Sequence, residues 1–107
     1  MVKNDELYIR HLLDAIDRIE TYIAGLSKDD FFKEVMVQDA VVRQLEIIGE
    51  AARALSDDGK SKYYDIQWPR IVGMRNRLIH EYFDISWEIV WETVISEIPD
   101  LKSKLKS

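Results

Sequence analysis

Arg75 stands five residues before His80, and Tyr82 follows two residues later, in the run Met74-Arg75-Asn76-Arg77-Leu78-Ile79-His80-Glu81-Tyr82-Phe83. Two tasks fall within reach of these side chains. An imidazole with its ordinary pKa, near about 6.5, moves protons at neutral pH. A guanidinium holds a phosphate through its fixed fork of N–H donors and stabilises charge that develops on it. With Asn76 in support, the group contains the parts needed to cut an RNA backbone without a metal. Plainer readings stand beside this one. Arg75 could be a core arginine in a salt bridge, and His80 a surface histidine capping nearby carbonyls. Spacing alone leaves both pairs of readings open. The other histidine, His11, lies among Arg10 and Asp14 on a first helix and reads as a solvated side chain.

The charge distribution favours a phosphate partner at this stretch only. The chain of 107 residues carries a formal charge of −5 and a pI near 5.0. A uniformly acidic protein is a poor nucleic-acid binder, because phosphate contacts dominate that affinity. From Ile66 to His80, however, there is no acidic residue, while Arg70, Arg75 and Arg77 all fall there. That window carries +3 and the remainder −8. Arg70 and Arg77 are therefore the candidates for contacting RNA around Arg75. Lys102, Lys104 and Lys106 form a second basic cluster, read as a solvated helix end.

Several other chemistries find no support. The chain lacks cysteine, which excludes disulfides and thiolate metal sites and fits a reducing compartment. It shows no glycine-rich phosphate loop and no His/Glu metal motif, so neither metal nor cofactor is expected. Asp57 and Asp58 are adjacent loop carboxylates of a kind that usually makes a turn. Trp68, Trp87 and Trp91 could stack on bases, but beside aliphatics at helical spacing they read as core. The beginning, Met-Val-Lys-Asn-Asp-Glu-Leu, has no apolar signal core, and no apolar run approaches the roughly 20 residues of a membrane span. A cytoplasmic protein with no membrane contact is expected.

The elements that must position the motif are helical. Glycine and proline are scarce and strand signals nearly absent, which predicts one all-α domain over residues 1–107, an up-and-down bundle of four to five helices. Ile9, Leu12, Leu13, Ile16, Ile19 and Ile23 mark a helix from about Asp5 to Ala24, stopped by Gly25. Ser27 can cap a short turn, Lys28 to Lys33, that carries Phe31 and Phe32 to the core. A central helix from about Val37 to Leu55 is apolar around most of its circumference, with Arg43, Glu46, Glu50 and Arg53 along one seam. Such a helix belongs inside a bundle or at a subunit interface, so a twofold dimer is plausible on sequence. Ser56 to Lys60 reads as a loop, irregular to about Gln67. Pro69 suits the first turn of a third long helix, Trp68 to Tyr82, which carries the motif. After a break at Asp84-Ile85-Ser86, with Asp84 or Ser86 as cap, a last helix from Trp87 buries Trp87, Val90, Trp91, Val94 and Ile98, with a kink or restart at Pro99.

On an unbroken third helix at about 100° per residue, Arg75 projects from the middle of the apolar arc. An unpartnered guanidinium there would be costly, so it must meet Glu46 or Glu50 or line a pocket for an external anion. Asn76 and His80 form an i, i+4 pair pointing elsewhere, with His80 about 140° from Arg75. Convergence on one phosphate then requires local distortion or a second copy across a twofold axis.

These residues resemble the HEPN superfamily, and specifically its HepT-like branch. The superfamily signature of arginine, a polar residue, then histidine reads here as Arg75-Asn76-Arg77-Leu78-Ile79-His80, and the branch adds Tyr82. The resemblance spans almost the whole chain. It includes His11-Leu12-Leu13-Asp14, Arg43-Gln44-Leu45-Glu46-Ile47-Ile48-Gly49-Glu50-Ala51-Ala52, Trp68-Pro69-Arg70-Ile71-Val72-Gly73-Met74, Trp91 and Ile98-Pro99-Asp100-Leu101. It implies a homodimeric bundle with two motif helices across a cleft, and a metal-independent endoribonuclease toxin. In that scheme His80 acts as general acid or base, Arg75 holds the scissile phosphate and Asn76 supports it. The implied partner is an antitoxin, a small MNT-domain nucleotidyltransferase similar to MntA, which silences the toxin by transferring AMP to Tyr82. Higher oligomers with that antitoxin fit the same scheme. The alternative is a non-catalytic accessory subunit of a small nucleotidyltransferase.

Overall fold

The structure, a computed structural model, describes residues 3–81 and 84–107. Helix α1, Lys3–Ile23, and helix α3, Val35–Ala54, pack along one another and form the framework. Leu12, Ile16 and Ile19 of α1 meet Val41, Leu45, Ile48 and Ala52 of α3 in a core without solvent access. The helical stripe of the sequence thus becomes the seam of the fold. Burying each such aliphatic side chain contributes about 1.5–3 kcal/mol before entropy is set against it. Gly25, at φ +76°, ends α1 in the left-handed region that glycine occupies without strain, as its position predicts.

Short helices close the bundle. Helix α2, Lys28–Lys33, opens with a capping box in which the Ser27 hydroxyl accepts from the Asp30 N–H and the Asp30 carboxylate from the Ser27 N–H. Phe31 is fully buried, but Phe32 is 41% exposed, contrary to the expectation that both enter the core. Adjacent residues on a helix point about 100° apart, and a six-residue helix buries one face only.

Residues 56–60 are not the loop expected. They begin helix α4, Asp57–Lys62, whose N-cap Ser56 accepts from the Gly59 N–H. The reason lies 51 residues away in the chain. Asp5, 2% exposed, accepts from the Ser56 N–H at 2.9 Å and from its hydroxyl. This ties the start of α1 to the start of α4. A Cβ on Gly59 would lie 2.7 Å from an Asp5 carboxylate oxygen, so a larger residue at 59 would have to displace that carboxylate. Replacing Asp5 by alanine leaves the half-buried Ser56 donors beside an apolar group. The variant is expected to lose about 2 kcal/mol, read as a lower urea midpoint with unchanged slope.

Tertiary structure also overrules the third long helix. Helix α5, Trp68–Val72, with Pro69 in its first turn, ends at Gly73, and helix α6, Met74–Leu78, follows at once. Beyond it the chain is extended: strand β1, Ile79–Glu81, pairs antiparallel with β2, Asp84–Ile85. The carbonyl of Leu78 accepts from the Ser86 N–H at 3.0 Å. That bond draws the chain into a two-stranded ribbon on an otherwise all-α fold. Ser86 is then the N-cap of helix α7, Trp87–Glu92. A π-helical turn, Thr93–Glu97, links α7 to helix α8, Ile98–Lys106, with Pro99 at the restart. Trp68 and Trp91 are buried, whereas Trp87 is only partly so. Among the described residues no helix is long and apolar enough to cross a membrane.

Candidate active site

Ile71, Met74 and Leu78 keep one buried stripe across the turn at Gly73. Met74 and Leu78, an i, i+4 pair, take the buried side of α6. Arg75 is consequently not in the middle of an apolar face: its side chain is 56% exposed. Of the two carboxylates offered on sequence, Glu46 is its partner, accepting from Arg75 Nε at 3.3 Å. Among the described residues the two Nη groups of Arg75 make no hydrogen bond. Asn76 is exposed beside it.

His80 lies in β1, not on a helix, so the expected i, i+4 pairing with Asn76 does not form. The strand register pairs Ile79 with Ile85 and Glu81 with Asp84, which leaves His80 as the extra residue of a bulge-like irregularity. Bulges of this kind re-aim a side chain and are common beside active sites. Tyr82, the expected site of modification, lies outside the described residues.

Arg70 and Arg77 meet at one carboxylate that the sequence reading did not single out. Glu97 Oε1 accepts from Arg70 Nε at 2.9 Å and from Arg77 Nη2 at 3.2 Å. Its Oε2 accepts from Arg70 Nη2 at 3.3 Å and from Arg77 Nη1 at 3.1 Å. Arg77 Nη2 also donates to the Arg70 carbonyl at 3.2 Å. Only the isolated acid two residues before Pro99 could have signalled this, and sequence gives no reason to connect it with residues 20 and 27 positions earlier.

Burial pushes the Glu97 carboxyl up, but the hydrogen bonds and charges of Arg77 and Arg70 outweigh it and hold the group below the usual carboxylate range. A depressed folded-state pKa means stability that is present above the unfolded value and lost as pH falls through the folded one. Wild type should therefore be acid-sensitive below the ordinary value of 4.5. Thermal melts at stepped pH should show the gap between wild type and Glu97→Gln closing on acidification.

Next to the Arg75–Glu46 pair runs an open groove of about 350 Å³ between α1 and α3, lined by Tyr8, His11, Arg43, Glu46 and Glu50 among others. His11 is exposed there, as expected of a solvated histidine, with an edge contact to Tyr8. Lys102 and Lys104 are more than a solvated end: they sit in α8 and pair with Glu20, Asp17 and Asp100. Among the described residues no three His, Cys, Asp or Glu side chains gather as a metal-binding group.

Residues 12–107 match the ribonuclease HepT-like family. The chain belongs to the HepT-like family. Relatives of this HepT-like chain cover nearly its whole length. A candidate RNase of Caldanaerobacter subterraneus subsp. tengcongensis is 39% identical over 105 residues, 98% of this chain and 94% of that one. A protein of Thermococcus cleftensis named probable ribonuclease HepT is 36% identical over 106 residues, 99% of this chain and 96% of that one. A candidate RNase of Methanocaldococcus jannaschii is 32% identical over 107 residues, 99% and 98% of the two chains. No solved structure matches the chain.

Proposed function

We propose that this HepT-like chain is a metal-independent endoribonuclease, the toxin of a cytoplasmic toxin–antitoxin pair. One observation carries the reading: Arg75 is exposed, with its Nη groups unengaged among the described residues and its Nε in a single long contact to Glu46. An incoming phosphate can take that guanidinium without leaving a buried charge behind, and exposed pairs of this kind are worth only about 0–1 kcal/mol. Membership of the family and the ribonuclease names of its relatives support RNA as the polymer.

The chemistry needs one proton acceptor, one donor and a charge clamp. His80 takes the proton from a ribose 2′-hydroxyl, and the 2′-oxygen bonds to the adjacent phosphorus. Arg75 donates to the non-bridging oxygens as negative charge grows on them, with Asn76 as a further donor. The bond to the 5′-oxygen breaks, and that oxygen leaves with a proton from an imidazolium. The products are a 2′,3′-cyclic phosphate and a 5′-hydroxyl. Two copies of the chain would compose the cleft, so that the guanidinium of one and the imidazole of the other face one linkage. Arg70, more than half exposed, adds a cationic flank for the RNA backbone; Arg77 stands behind it.

The antitoxin in this reading is an MNT-type nucleotidyltransferase that transfers AMP to Tyr82. Each AMP brings bulk and a phosphate charge to the place where RNA phosphate must enter, which blocks and repels it. A second reading, a non-catalytic accessory subunit, draws on the Arg75–Glu46 pair itself, since a paired arginine can be purely structural.

Cleavage of a labelled RNA in EDTA separates them. The wild-type chain should cut, and Arg75→Ala should be slowed about 10²–10³-fold, the loss typical of one transition-state hydrogen-bond donor. Cleavage that needs added magnesium would count against the metal-independent reading, and an Arg75→Ala protein that unfolds while His80→Ala changes nothing supports the alternative. Co-expression with an MNT-type nucleotidyltransferase should add AMP-sized mass at Tyr82, and an adduct at Tyr22, Tyr63 or Tyr64 would refute that assignment.

A further inference from the structure

Helix α6 is five residues long; bonds from the Gly73 N–H to the Pro69 carbonyl and from the Arg77 N–H to the Gly73 carbonyl join it to α5, and a helix this short gains little direction from its own hydrogen bonds. Met74 and Leu78 anchor one side in the core. Arg75 and Arg77 lie about 200° apart around it and reach opposite carboxylates, Glu46 on α3 and Glu97 on the π-turn. The two contacts differ in kind. The Glu46 pair is single and exposed. Glu97 receives both guanidinia in forked pairs, and Arg77 also ties α6 to the Arg70 carbonyl of α5. Among the described residues Arg77 Nε, by contrast, is buried with no partner, a cost the side chain carries while its Nη groups hold this geometry.

The π-turn is what brings Glu97 there. One extra residue per turn between α7 and α8 changes the direction of the side chains that follow, and such turns recur at functional sites. Thr93, fully buried with its hydroxyl donating to the Ile89 carbonyl at 2.7 Å, and Ile98 hold the turn against the core.

We propose that Glu97 is a positioning residue for the Arg75–His80 site: through Arg70 and Arg77 it sets the angle across Gly73 and hence the direction in which α6 and β1 present Arg75, Asn76 and His80. The inference rests on the ribonuclease reading for its catalytic consequence, but not for its structural one. Glu97 touches no substrate in this scheme.

The test uses the full-length chain and its Glu97→Gln and Glu97→Ala variants, read in two ways. Amide hydrogen exchange should quicken across residues 74–81 while α1 and α3 keep their protection. Single-turnover RNA cleavage should slow by about 10–100-fold, the scale of an ångström misplacement, with RNA affinity unchanged. Arg77→Lys, which keeps the charge but loses the fork, should reproduce both effects and serves if Glu97→Ala does not fold. Tighter RNA binding with an unchanged cleavage rate would mark Glu97 as a mere counter-ion and overturn the proposal. Unchanged exchange at 74–81, or a uniform rise over the whole chain, would overturn it too. If the wild type cuts no RNA, the ribonuclease reading falls, and exchange alone decides whether Glu97 sets this segment.

Discussion

Replacing His80 by alanine is expected to remove RNA cleavage while leaving the thermal melt within about 1 °C of wild type. General acid–base help from a placed imidazole is typically worth about 10²–10⁴-fold. His80 belongs to the three-residue strand β1 and not to α1 or α3, so the loss should fall on the rate and not on folding. The profile against pH carries the finer information. A histidine that must be neutral to accept the 2′-hydroxyl proton gives a rate that rises with pH and then levels or falls. His11→Ala is the control, since it removes the other histidine from an exposed position and should leave that limb in place. A His80→Ala protein that cuts RNA at the wild-type rate would end the catalytic assignment.

The largest expected stability effect lies elsewhere, at Phe31. Its ring is inaccessible to solvent, with centroid separations of 5.2 Å to Trp91 and 6.2 Å to Trp87. Its carbonyl accepts from the side-chain amide of the buried Gln38 at 3.0 Å. Phe31→Ala removes the ring that joins α2 to α7 and leaves a cavity that a six-residue helix cannot close by itself. Such changes cost about 3–5 kcal/mol, a large share of the roughly 5–15 kcal/mol that holds a domain together. The melting temperature should fall by more than about 10 °C. Tryptophan emission should move to longer wavelength as Trp91 loses its cover. Phe32→Ala should cost about 1 kcal/mol or less, because that ring is exposed, with the Lys28 ammonium 5.8 Å from its centre and the Phe31 ring 6.3 Å away. Equal losses from the two phenylalanines would contradict the packing described.

The contrast between Phe31 and Phe32 shows where sequence reading stops. Ser27, three residues before Asp30, is a local signal, and the capping box formed where it stood. Which of two adjacent aromatics turns inward is decided by where Trp87 and Trp91 come to lie, some sixty residues further on. The site divides in the same way. Arg75, Asn76 and His80 could be named from their spacing, and Glu46 was one of two acids offered to Arg75. Their directions could not be obtained, because placing side chains at about 100° per residue assumes a continuous helix. The turn at Gly73 and the capture of the Leu78 carbonyl by Ser86 end that assumption within ten residues.

The order of apolar and polar residues was enough to determine that α1 and α3 form, where Gly25 stops the first of them, and which family the motif blocks belong to, since each depends on neighbours within a turn or two. The folded chain alone decided that Asp5 holds the N-cap residue Ser56, 51 positions away, that Arg75 faces outward, and that Glu97 joins Arg70 to Arg77. Such contacts link residues far apart in the chain, and no local periodicity records them. They exist only once the core has fixed which surfaces meet.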